Sequence, residues 1–210
     1  MPSRNRSVCN ALIVTVIVAA GQLSQAQTKA GPAEIYPDPK MTPGKTNPDI
    51  TQDNLKSTVC SEKWTGINKF THKEATGTEI LRPPVEITDK IKTQTMKAYH
   101  STGAADQYEL DHFISLELGG CPDCVENLWP QAYGDAKHPM TMPQRATFDK
   151  ANPNDKTILP GSSQKDKVED HLKTEICTGA VTLDRAQKIV TGDWYACYLN
   201  ITASPKRDCK

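Results

Sequence analysis

The run Tyr108-Glu109-Leu110-Asp111-His112-Phe113-Ile114-Ser115-Leu116-Glu117-Leu118-Gly119-Gly120, continued by Glu126-Asn127-Leu128-Trp129-Pro130, leaves this chain few ways to fold. Leu110, Phe113, Ile114, Leu116 and Leu118 supply the apolar content of a strand expected over 106–118. Gly119-Gly120 ends it in a turn, and a second short strand is expected over 127–131. Three polar residues stand inside this frame: Asp111 and His112, adjacent in the chain, and Asn127 at the start of the return strand.

Those residue types make a chemical set. A carboxylate binds a hard divalent cation, and a neutral imidazole takes a proton near pH 7. An amide can hold an imidazole or a loop in place. Together they are the parts needed for metal-assisted hydrolysis of a phosphodiester. One geometric condition applies. Neighbours in a regular strand point to opposite faces, so Asp111 and His112 share a site only if the strand twists, bulges or ends there.

The pattern Asp-His-x-x-x-Leu-x-x-Gly-Gly-x(6)-Asn-Leu resembles the first two-thirds of the HNH endonuclease motif, which builds a ββα-metal fold. The flanks also resemble secreted bacterial HNH-type proteins. Upstream these are Asn47-Pro48-Asp49-Ile50-Thr51-Gln52, Thr58-Val59-Cys60 and Arg82-Pro83-Pro84. Downstream they are Lys165-Asp166-Lys167-Val168-Glu169, Ala186-Gln187 and Asp193-Trp194, so the resemblance spans roughly residues 43–199.

The resemblance implies an α+β fold with a ββα-metal core, an added N-terminal arm and helix, a C-terminal helix, and disulfide staples. It casts His112 as general base, Asp111 as first metal ligand, and Asn127 as the amide that fixes the loop and the imidazole. It places a further ligand on the helix after the second strand. That helix offers Asp166, Glu169, Asp170 and His171, of which Glu169 and then Asp166 are preferred, being one turn apart. The competing reading of Glu169 is an ordinary helix-surface pair with Lys173 four residues on. Mg²⁺ is the expected ion, with Mn²⁺ or Zn²⁺ as alternatives. Arg82 and Lys165 are candidate phosphate contacts, although Arg82, Lys165, Lys167, Lys173 and Lys188 each read individually as solvated surface charges.

The N-terminus bears on the compartment. Arg4 and Arg6 precede the apolar run Ala11 to Ala20, and Ser24-Gln25-Ala26 offers small residues for cleavage after Ala26. Residues 1–26 therefore read as a signal peptide, too short in its apolar part for a comfortable membrane span. A secreted or periplasmic protein without stable membrane association is expected. Removing Cys9 with the signal leaves Cys60, Cys121, Cys124, Cys177, Cys197 and Cys209, an even set that suits disulfides in an exported chain. Six cysteines allow fifteen connectivities. Cys121–Cys124 is the local option, Cys60–Cys177 would tie the N-terminal arm to the motif helix, and Cys197–Cys209 would pin the tail.

The remaining chain reads as one domain, 58–210, with its motif core over 106–177. Residues 27–57, rich in Pro, Thr, Asp and Lys, read as an extended polar leader. Thr88-Asp89 is expected to cap a helix running to Tyr99. Residues 132–162 read as a proline-punctuated insertion without periodicity, where His138 is a lone loop histidine. A helix over 164–176 buries Val168, Leu172 and Ile176, and Thr182 caps a last helix that Gly192 ends or kinks.

Charge limits the partners. The chain has 25 basic and 25 acidic residues, so no broad basic surface recruits nucleic acid. Contact with a DNA or RNA substrate has to come from a local basic patch plus the metal. A monomer is expected, and no inhibitor or immunity partner is legible. Two rival readings remain: an inactive binding module on the same HNH fold, and a periplasmic thiol–disulfide protein built on Cys121 and Cys124. A structural zinc site would need four ligands, and only one Cys-x-x-Cys pair exists.

Overall fold

The computed structural model describes residues 35–153, 155, 157–204 and 209. The expected signal peptide, 1–26, lies outside the described residues. The fold is α+β: four helices and two small two-stranded sheets among the described residues. A first hairpin pairs β1 (Thr65–Ile67) with β2 (Glu74–Thr76). Helix α1 (Val85–Ala98) follows and packs on the second hairpin, β3 (Tyr108–His112) with β4 (Leu128–Ala132). Then come α2 (Met142–Ala151), α3 (Ser162–Thr178) and α4 (Leu183–Ala203).

The β3–β4 register sets Asp111 opposite Trp129, His112 opposite Leu128 and Leu110 opposite Pro130. Pro130 has no N–H to give a ladder, which a two-stranded sheet with two free edges tolerates. α3 and α4 pack on each other and on the turn Leu116–Leu118 that follows β3, and they supply much of the core. Val168, Leu172, Ile176, Ala186, Val190 and Trp194 are all buried in it, as the helical spacing of the first three predicts. Thr182 caps α4 by accepting the Arg185 N–H, and the helix kinks at Asp193, beside Gly192.

Four sequence expectations are corrected. The first motif strand does not reach 118. It stops at His112, and Leu116–Leu118 form a 3-10 turn closed by Gly119 in the left-handed region (φ 71°). The Asn127 side chain is the cause, because its Oδ1 takes the Ile114 N–H that a longer strand would offer to a partner. Next, residues 35–57 are not an extended leader outside the domain. Ile35, Ile50 and Leu55 are core residues, and Trp194 Nε1 donates to the Ile35 carbonyl at 3.0 Å. The domain boundary at 58 is therefore too late.

The insertion 132–162 is not structureless. It contains α2, whose first turn carries Pro143 and whose start is capped by Gln144 Oε1, accepting the Thr141 N–H at 2.8 Å. Arg145, 4% exposed, ties it down by donating to the Tyr133 carbonyl at 2.8 Å and the Leu159 carbonyl at 2.9 Å. Lastly, α1 starts a turn before Thr88, with Pro84 as its N-cap.

All three candidate cysteine pairs are disulfides. Cys60–Cys177 spans Cα atoms 5.3 Å apart and joins the segment before β1 to the end of α3. Cys121–Cys124 closes the turn between β3 and β4, and Cys197–Cys209 ties α4 to the tail. This set is compatible with an oxidising compartment. Among the described residues no helix is long and apolar enough to cross a membrane.

Candidate active site

The end of β3 and the first turns of α3 enclose a cleft of about 210 Å³. Asp111 and His112 enter from the strand, Asp166 and Glu169 from the helix, and Arg82 from the turn before α1. The adjacency condition on Asp111 and His112 is met because the strand ends at His112, where the strict alternation of faces lapses. Glu109 joins them in the cleft. The sequence did carry a signal for it, since Glu109 stands two residues before Asp111 on a strand and so shares its face.

His112 Nε2 lies 3.0 Å from the Pro122 carbonyl oxygen. A carbonyl only accepts, so Nε2 carries the hydrogen, and in the neutral ring Nδ1 is the bare acceptor. Burial lowers the imidazole pKa, and the nearby Arg82 and Lys165 charges push the same way. The Pro122 bond and Asp111 oppose them without reversing the direction. The ring is thus a neutral proton acceptor near pH 7.

Asn127 does not touch the cleft. Fully buried, it sews the loop together: Nδ2 donates to Ile114 O and to Cys121 O, both at 2.9 Å, and Oδ1 accepts from Ile114 N at 2.9 Å. Its effect on the imidazole passes through this loop, because Cys121 precedes the Pro122 whose carbonyl holds the ring. Gly120 is required by the same clasp, since an added Cβ there would fall on the Ile114 carbonyl oxygen and within 2.8 Å of Asn127 Nδ2.

Lys165 is placed differently from the expectation of a phosphate-facing surface cation. It is 0% exposed. Its Nζ donates to the His112 carbonyl at 2.7 Å, lies 2.8 Å from Asp111 Oδ2 and pairs with Glu169 Oε1. Burial by itself would depress the ammonium, but Asp111 and Glu169 more than offset it and hold Lys165 above the ordinary lysine value. The surface pair foreseen between Glu169 and Lys173 does not form, because Lys173 pairs with Glu117 at 2.5 Å.

One ammonium cannot neutralise every carboxylate here. Burial, with Asp111, raises Glu169 despite its contact with Lys165. Burial and Asp111 also raise Glu109. Desolvation of the carboxyl by the cleft around it, then Asp111 and Glu109, push Asp166 up to about 7. Asp166 is exposed at the rim, so water screens part of that repulsion. Each shift comes first from burial and then from acidic neighbours, and the carboxylates are hard oxygen donors of the kind that suits Mg²⁺ or Mn²⁺ rather than a thiophilic ion. Asp111, Asp166 and Glu169 all line the cleft and could hold such an ion; Lys165 already engages Asp111 and Glu169 and does not engage Asp166. The carboxylates are not drawn into a tight cage. Among the described residues, one trio of donors lies within 4.8 Å of one another, Cys121, Asp123 and Cys124, and its sulfurs are joined in a disulfide.

No protein-family model, no curated protein and no solved structure matches the chain significantly.

Proposed function

We propose that the protein is an exported, metal-dependent HNH-type endonuclease that hydrolyses phosphodiester bonds of DNA or RNA. The observation that carries the reading is the His112 imidazole, its Nε2–H committed to Pro122 O, set in one cleft with Asp111 and Asp166. The β3–β4 hairpin and α3 would then be the two strands and the helix of a ββα-metal core, with the insertion 132–162 set between β4 and α3.

In this mechanism His112 Nδ1 accepts a proton from the water that attacks phosphorus. Asp111 and Asp166 would hold a divalent cation, Mg²⁺ first and Mn²⁺ or Zn²⁺ as alternatives. When bound, that ion would supply charge neutralisation to the phosphoryl group. Arg82, half-exposed at the cleft and paired with Glu79 at 3.0 Å, would contact the phosphate. Asn127 keeps the loop that presents the imidazole. With 25 basic and 25 acidic residues the chain has no wide basic face, so substrate contact relies on the cleft. The N-terminal run that reads as a signal peptide and the three disulfides support a secreted or periplasmic setting.

A specific observation keeps a second reading in view: the Lys165 ammonium already stands between Asp111 and Glu169, where an inactive HNH-fold binding module would need no metal. Plasmid nicking with Mg²⁺ or Mn²⁺ separates the two. Wild type cleaves, and His112→Ala is slower by about 10²–10⁴-fold, the usual contribution of a general base. Equal rates in the two proteins would end the nuclease reading. The thiol–disulfide reading gains nothing from the geometry, since Cys121 is buried and its pair opens no α-helix.

A further inference from the structure

One short turn reaches the imidazole from behind. The acceptor of its Nε2–H, Pro122 O, lies inside the small ring closed by Cys121–Cys124. The two ends of that ring are anchored. Cys121 N donates to Lys45 O at 2.7 Å, Cys121 O accepts from Asn127 Nδ2 at 2.9 Å, and Cys124 O accepts from Asn127 N at 2.9 Å. Its middle is not anchored in the same way. Pro122 has no N–H with which to fix itself. Asp123 reaches Lys69 at 3.3 Å through an ion pair between exposed side chains, which adds little rigidity. The covalent bridge is what draws the ring tight over its middle.

We infer that the Cys121–Cys124 disulfide is a positioning device for His112: by closing the turn it holds the Pro122 carbonyl where it fixes the ring's Nε2–H tautomer and orientation. Nδ1 is then always the bare nitrogen. An imidazole free to rotate and exchange tautomers presents an N–H to water part of the time, and in that form it cannot act as a base. The catalytic consequence rests on the nuclease reading, whereas the structural claim stands without it. Closing the ring removes two electrons and two protons from two thiols. They pass to the disulfide of a thiol–disulfide exchange partner, which becomes a dithiol. The base is therefore fully assembled only where this pair is oxidised.

The test uses the full chain and the double variant Cys121→Ser/Cys124→Ser, with the other two disulfides intact. Nitrogen-15 NMR of the metal-free protein at about pH 8, where an ordinary histidine is neutral, reads which ring nitrogen carries the proton. The His112 signal is assigned by its loss in His112→Gln. Wild type shows a single Nε2–H form, and the variant shows a mixture of tautomers. In plasmid cleavage the variant loses on the order of 10²-fold in kcat, the scale of a misplaced catalytic group, with KM unchanged. Cys197→Ser/Cys209→Ser, distant from the ring, lowers the melting temperature but leaves the tautomer and kcat alone.

A variant that keeps the single tautomer, with kcat within about twofold of wild type, overturns the inference. If wild type cleaves nothing, the nuclease reading fails and the tautomer measurement still decides the positioning claim. If the double variant does not fold, stepwise reduction of wild type replaces it. Loss of the single tautomer must then track alkylation of Cys121 and Cys124, and tracking with Cys60 or Cys197 instead refutes the claim.

Discussion

Replacing Lys165 with Met is the sharpest probe of how this cleft is balanced. Methionine keeps much of the side chain's length and apolar stem but removes the one cation among the buried carboxylates. Asp111 loses a charge partner at 2.8 Å, Glu169 loses its own, and the His112 carbonyl loses a donor at 2.7 Å. Breaking a buried pair by deleting one partner costs about 3–5 kcal/mol, and Lys165→Met should destabilise by that amount at pH 7. Urea unfolding followed by tryptophan fluorescence reads it directly, since Trp129 and Trp194 are both buried.

The pH dependence has a definite sign. In wild type the Lys165 pKa is raised on folding, so its contribution is fully present below the ordinary lysine value of about 10.4 and is lost as pH climbs past the folded value. In Lys165→Met the carboxyls, already raised in wild type, rise further, and the folded state holds protons that the unfolded chain releases. The deficit of the variant against wild type is therefore larger at about pH 8 than at about pH 4.5, where the raised carboxyls are protonated in both folded proteins. Mn²⁺ should also restore the variant, by about 2.7 kcal/mol when present at a hundredfold excess over Kd, and more than it stabilises wild type. A variant as stable as wild type at pH 7, or with a deficit independent of both pH and Mn²⁺, would refute the account.

Other perturbations follow from the same geometry. Asn127→Ala strands the Ile114 N–H and carbonyl and the Cys121 carbonyl inside the loop. At about 1–3 kcal/mol for each unsatisfied group after relaxation, a total near 4 kcal/mol is expected by urea titration, and a loss below about 1 kcal/mol would contradict the clasp. Asp166→Asn removes a carboxyl that folding raises to about 7. The cost of ionising Asp166 builds up between about pH 4, its unfolded value, and its folded value, so the metal-free variant should melt higher than wild type at pH 8 and no higher at pH 4. Its Mn²⁺-induced gain in melting temperature should shrink, and an undiminished gain would remove Asp166 from the ligand set. Separating Cys60 from Cys177 by a Ser pair opens a loop closed over a sequence separation of 117 and should cost about 2–5 kcal/mol in the same titration.

What the sequence made legible was whatever lies close together in the chain. Asp111 and His112 are neighbours, Asn127 follows one glycine turn later, and the local cysteine pair needed no tertiary information. The stripe Val168, Leu172, Ile176 was readable because helical periodicity states which side is inside. The same periodicity was silent on Glu169, which has a lysine four residues away in each direction. Position alone favours neither Lys165 nor Lys173. The choice is made by the hairpin, which places the His112 carbonyl and Asp111 on the Lys165 side and leaves Lys173 to meet Glu117. Residues 35–57 were misread for a related reason, since Ile35, Ile50 and Leu55 follow no period and become core only when Trp194 and its neighbours cover them. Helix α2 was a different kind of miss. Its capping pair, Thr141 and Gln144, was in plain view, but the prolines around it masked a start that Pro143 in fact favours.

The burial of Lys165 also changes what the carboxylates mean. On the sequence, Asp111, Asp166 and Glu169 are three equivalent candidates for one ion. In the fold they are unequal: Asp111 and Glu169 are both buried against the ammonium at the edge of the cleft, and Asp166 is open to solvent. A fixed ammonium beside Asp111 repels an arriving divalent cation, while the surplus acid draws it in. If both act on one ion, removing the ammonium should tighten binding and removing Asp166 should loosen it. The double variant Lys165→Met/Asp166→Asn should then bind Mn²⁺ with an affinity between those of the single variants. Calorimetric titration of the four proteins tests this, and a Lys165→Met variant that binds Mn²⁺ more weakly than wild type would show that the ammonium builds the site rather than competing for it.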